Sequence, residues 1–166
     1  MRNFKIFASG ILLFVVIVSC KEKHAQESVQ EHETKDKLSQ AIHIANLKEQ
    51  GYEIFDYQDE KTGDTVIMQQ YFLAFLKSGP NRDQPKAVAD SLQALHMAHL
   101  GRMYEEGFAD LSGPFGDDGD IRGITVYNVP TLQMADSLAN MDPMVKAGRL
   151  AIEIHPWWAA KGFHLR

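Results

Sequence analysis

The stretch His96–Phe115, HMAHLGRMYEEGFADLSGPF, reads as the last turns of an amphipathic helix, a stop at Gly107, a short strand and a tight turn at Gly113-Pro114. Gly107 is a natural residue just past a helix end. On a wheel of about 100° per residue, Val88, Leu92, Leu95, His99 and Met103 form one stripe, with Ala89, His96 and Leu100 beside it. Two histidines three residues apart thus lie on the side expected to face a core. A titratable ring on such a face needs a partner.

Working outward, Val66–Leu76 (VIMQQYFLAFL) is apolar on both alternations, so it predicts a strand covered on both faces. Ser78–Arg82 reads as a loop, and Gln84-Pro85 opens the helix that runs to about Glu106. After the strand at Phe108–Gly113, the GDDGD run at Gly116–Asp120 predicts a hairpin connection into a strand over Ile121–Val129. Pro130-Thr131 opens a second helix, Asp142-Pro143 a short further one closed by Gly148, and Leu150–Trp157 is the last strand. Strand, helix, strand, strand, helix, strand is the ferredoxin-like α+β pattern, βαββαβ. Helices on one side of such a sheet leave the other side open, which predicts a symmetric homodimer packed sheet to sheet.

The chain has 166 residues and a formal charge of -5, with no basic stripe, so no nucleic-acid partner is expected. Arg2 and Lys5 precede the apolar run Ile6–Val18, which is about 13 residues long against the about 20 a membrane helix needs. That pattern is an export signal, and the run ends Ile17-Val18-Ser19-Cys20, which resembles a bacterial lipobox. The resemblance implies cleavage before Cys20, lipidation of its thiol, and an extracytoplasmic body anchored to a bacterial membrane, facing the periplasm or the cell surface. Loss of Arg2 and Lys5 would lower the side-chain charge from -5 to -7. Cys20 is the single cysteine, so the chain has no internal disulfide.

The expected organisation is therefore a signal peptide over 1–19, a polar tether over 20–34, a helix-and-strand extension over 35–64 and an α+β domain over 65–166. His24 and His32 fall in the tether.

His96, Glu106-Gly107, Gly113-Pro114-Phe115, a short acidic turn, Arg122-Gly123-Ile124, Met141-Asp142-Pro143, Gly148 and Pro156-Trp157 follow one another in an order and spacing that resembles the YCII-related family. The resemblance spans about residues 65–160, and it implies a dimeric α+β barrel with an active site formed by His96 and Asp142. Most members of that family have no established reaction; one similar enzyme removes chloride from a chlorinated hydroxyhydroquinone. His99 departs from the pattern, since similar lipoproteins often carry a small polar residue there, so either imidazole is a candidate.

A His-Asp pair suits proton transfer, because the carboxylate fixes the ring tautomer and raises its basicity. Elimination, isomerisation or dehydrochlorination of a small organic molecule needs no cofactor on that footing. The bland reading of His96 is a core-edge ring bonded to a carbonyl, and that of Asp142 is an N-cap for the helix at Pro143. His99, Arg122 and Arg149 are candidates for substrate binding, the arginines for an acidic ligand. No metal is expected: His96 and His99 lack the i, i+4 spacing and a third ligand, and the GDDGD turn lacks a calcium-loop register. The alternatives to an enzyme are a module of the same fold that only binds a small ligand, and a structural envelope lipoprotein.

Overall fold

The computed structural model describes residues 34–165; the expected signal peptide, Cys20 and nearly all of the tether lie outside the described residues. The chain divides into two units, Met1–His43 and Ile44–Arg166. Residues 34–43 of the first are helical and belong to helix α1, which spans 34–49. The second unit continues with β1 (Ile54–Gln58), β2 (Thr65–Ser78), α2 (Lys86–Glu105), β3 (Ala109–Pro114), β4 (Ile121–Tyr127), α3 (Leu132–Asn140), α4 (Pro143–Lys146) and β5 (Leu150–Ala160).

β2 is the spine of one antiparallel sheet. Along one side it pairs β5 over Met68–Ser78, and along the other it pairs β4 from Phe72 and β1 over Thr65–Gln69. β3 closes the far edge against β4. The order β5-β2-β4-β3 is the ferredoxin-like arrangement, with β1 added beside the start of β2. The fold is therefore α+β as the element order predicts, and the helix-and-strand extension adds a strand to the sheet.

Residues of β2 alternate between two faces. Phe72, Ala74 and Leu76 face the helices, where they meet Met103 of α2, Ala135 and Ala139 of α3, Tyr127, and Met144 and Leu150 in two adjoining clusters. Tyr71, Leu73 and Phe75 face the other way, level with Val126, Ile124, Trp157 and His155 on the flanking strands. Phe75 meets the His155 ring edge-on at 5.9 Å and Tyr71 tilts against Trp157 at 6.3 Å. At one end of that face Gln69 is fully buried. Its amide donates to Asn128 at 2.7 Å and accepts from Lys161 at 2.7 Å, which satisfies a polar side chain inside the sheet.

Helix α2 ends at Gly107 as expected, but it presents a different stripe. His96, His99 and Met103 are buried with Ala89, Leu92 and Leu100 partly so, whereas Val88 and Leu95 are exposed. The apolar residues of this helix fit two neighbouring stripes equally well, and packing against the sheet and α4 selects the one carrying both imidazoles.

Candidate functional site

Between α2, the end of β2, β3, β4 and the start of β5 is a cavity of about 480 Å³, a size suited to a small ligand. His96 and Met97 line it from α2, Ser112 and Pro114 from β3, Arg122 and Ile124 from β4, and Arg149 and Leu150 from the start of β5.

His96 owes its place to the selected stripe and its orientation to Asp142. The His96 Nδ1–Asp142 Oδ2 distance is 2.5 Å, and both residues are buried. Asp142 is also the N-cap of α4: its Oδ1 accepts from the Met144 amide at 2.8 Å, with Pro143 in the first helical position. The capping and pairing readings of Asp142 are thus both realised, one oxygen each. Burial pushes this carboxyl upward. The hydrogen bonds from the His96 ring and the Met144 amide, with the charges of His96 and His99, outweigh that and hold it below the usual carboxylate range. Asp142 Oδ2 accepts from His96 Nδ1, so in the neutral tautomer Nε2 is the ring nitrogen without the proton, on a ring that lines the cavity.

His99 takes a different position from the one expected of a substrate-binding residue. It is buried on the same helix but does not line the cavity. The Arg102 guanidinium donates to His99 Nδ1 at 3.1 Å, so the ring proton sits on Nε2, which has no hydrogen-bond partner. Burial, with the positive charges of Arg102, His96 and Lys146, pushes His99 below the ordinary histidine value against the pull of Asp142. It is a ring behind the site that burial makes harder to protonate.

Arg122 reaches the cavity through a break in register. Leu76 pairs Gly123 but Lys77 pairs Ile121, so Arg122 is the extra residue of a β-bulge. A bulge re-aims a side chain, and this one brings Arg122 to the side of the sheet that carries the helices. Its Nη1 donates to the Gly119 carbonyl at 3.0 Å.

Arg149 is delivered by the end of α4. Gly148 has φ +69°, its amide donates to Val145 O at 2.9 Å and the Arg149 amide to Met144 O at 2.9 Å, a Schellman motif. The loop after β2 is bound to the same turn: Gly79 N donates to Arg149 O at 3.0 Å and Asn81 N to Gly148 O at 2.9 Å. A Cβ on Gly79 would lie 2.2 Å from the Gly148 carbonyl oxygen, so only glycine permits this approach.

The approach also brings in Arg82, which sequence reasoning missed. Arg82 Nη1 donates to Arg149 O at 3.1 Å, while Arg149 Nη1 donates to Arg82 O at 3.3 Å and to Gln84 Oε1 at 2.9 Å. The two residues are 67 positions apart, and only the SGPNR loop composition hinted at a functional turn.

Among the described residues no three His, Cys, Asp or Glu side chains gather as a metal site would require, and no helix is long and apolar enough to cross a membrane.

No family model matches the chain, and no curated protein matches it. Among solved structures it is similar to the 5-chloro-2-hydroxyhydroquinone dehydrochlorinase from Burkholderia phenoliruptrix AC1100, determined in complex with 2,5-dihydroxybenzoquinone. The two are 24% identical with a TM-score of 0.40, over 52% of this chain and 92% of that one.

Proposed function

We propose that this protein is a YCII-related, cofactor-independent proton-transfer enzyme that acts on a small organic molecule through His96 and Asp142. The observation that carries the reading is the 2.5 Å His96–Asp142 pair beside the cavity, with Nε2 as the free ring nitrogen. In that arrangement Nε2 takes a proton from a carbon or oxygen acid, and Asp142 stabilises the imidazolium that forms. The proton is then returned to another atom of the substrate, giving isomerisation, or the substrate loses a leaving group, giving elimination.

The test is deuterium uptake from heavy water into a panel of small cyclic carbon acids, including halogenated phenols. His96→Gln is expected to lower the rate at least 100-fold, within the about 10²–10⁴ attributed to a positioned acid-base group. Its melting temperature should stay close to that of the unmodified protein. Exchange at an unchanged rate in the variant, or none with the intact protein across the panel, would refute the enzyme reading.

We further propose that the chain is a homodimeric lipoprotein held at an extracytoplasmic membrane face through Cys20. The basic start, short apolar run and lipobox-like Ser19-Cys20 support the anchor. The half-covered apolar residues Leu73 and Phe75, on the sheet face away from the helices, support the pairing of two copies. Cys20→Ser is expected to move the protein from the membrane to the soluble fraction, where it should sediment at twice the chain mass. Persistence in the membrane would count against lipidation, and a monomer against the dimer.

A further inference from the structure

Three guanidinium groups, those of Arg82, Arg122 and Arg149, line the cavity. Every hydrogen bond that holds them goes to a neutral oxygen: backbone carbonyls for all three, and the Gln84 amide for Arg149. Each of these bonds uses Nη1, so every guanidinium keeps the donors on Nε and Nη2.

The nearby acids are committed elsewhere. Asp90, the one carboxylate lining the cavity, is bound to Lys86 at 2.6 Å. Asp120, in the turn before Arg122, faces Lys77 at 3.7 Å, and Asp117 accepts from the Gly119 amide at 3.4 Å. Asp142 is taken up by His96 and Met144. Three guanidinium groups with no carboxylate among their hydrogen-bond partners, around a space whose apolar wall includes Leu76, Leu100, Met144 and Leu150, form a site for an anion with an apolar body.

The cations fall into two groups. Arg82 and Arg149 are bound to each other's backbone at the β5 side of β2, while Arg122 stands on β4 at its other side. Two strand spacings, about 10 Å, separate the flanking strands.

We infer that the cavity takes a small, largely apolar compound with two separated acidic groups, one held by the Arg82–Arg149 clamp and the other by Arg122. The inference rests on the same cavity as the proton-transfer reading and deepens it. The clamp and Arg122 fix the two ends of the ligand in the space that His96 also lines. Fork-shaped donors suit carboxylates, which they hold bidentately.

The test is calorimetric titration of the full chain with terephthalate, benzoate and neutral terephthalamide. Terephthalate is expected to bind at least tenfold more tightly than benzoate, and terephthalamide not to bind at millimolar concentration. Arg82→Met should weaken both acids at least tenfold. Arg122→Met, which disturbs only a turn carbonyl, should abolish the advantage of terephthalate and leave benzoate unchanged. Arg149→Lys keeps the charge without the fork and should weaken both acids while the protein stays folded.

Equal binding of the diamide, or affinities that ignore the arginine substitutions in folded protein, would overturn the inference. Because binding is measured without turnover, the two readings separate. Loss of terephthalate binding would leave the deuterium-exchange result standing, and absence of exchange would leave the titration result standing.

Discussion

Asp142→Asn is expected to lower proton-transfer activity by about 10²–10⁴-fold while changing stability little. The asparagine carbonyl can still cap α4 by accepting from the Met144 amide, the bond Asp142 makes at 2.8 Å. Its amide nitrogen then faces His96 Nδ1, where Asp142 Oδ2 now accepts. A donor opposite Nδ1 forces the ring proton onto Nε2, so that nitrogen becomes a donor and can no longer act as a base. Nitrogen NMR of the histidine rings would show the tautomer change directly, and turnover of any substrate found in the exchange panel would show the loss. Activity retained with the reversed tautomer would mean that Nε2 of His96 is not the base. Asp142→Ala, by contrast, removes the cap as well as the ring's partner and should also destabilise the fold.

The second large effect lies in the core. Met103→Ala is expected to cost about 2–5 kcal/mol. Met103 is 1% exposed at the last turn of α2, packed against the sheet residues Phe72 and Ala74 and against α3. Its carbonyl also accepts the Phe108 amide at 2.9 Å, which turns the chain from α2 into β3. That backbone bond survives the substitution, so the cost is one of lost packing. The urea midpoint should fall with the slope unchanged. A loss below about 1 kcal/mol would mean that the helix settles into the space left behind.

Much of the architecture was legible along the chain because its punctuation is strong. Gly107 and Gly148 end helices, Asp142-Pro143 starts one, and the two-sided apolar run at Val66–Leu76 marks the central strand. The pairing of His96 with Asp142 followed from the family resemblance; neither spacing nor composition joins residues 46 apart.

The inward stripe of α2 could not be read from periodicity, because Val88 and Leu95 compete with Ala89 and His96 for the same role. Only the position of the sheet and α4 decides between them. Arg122 was singled out, but its route into the cavity depends on a register shift between β2 and β4 that leaves no mark in either strand's composition. Arg82 was missed because its partner at Arg149 is brought to it by backbone contact at Gly79, a tertiary event. His99 looked equivalent to His96 at three residues' remove, yet that step of roughly 300° carries it past the cavity edge to Arg102.

The long last strand has an optical consequence. Trp157 and Trp158 are the chain's two tryptophans and they are neighbours in β5, so they stand on opposite faces of the sheet. Trp158 lies against Phe55 at 5.1 Å, and Trp157 lies beside Tyr71 on the side away from the helices. All indole emission therefore comes from one dipeptide that samples both sides of the sheet at the same height. Replacing either indole with phenylalanine would leave a single-sided built-in dye, and a blue shift confined to Trp157 would register the moment that side loses its water.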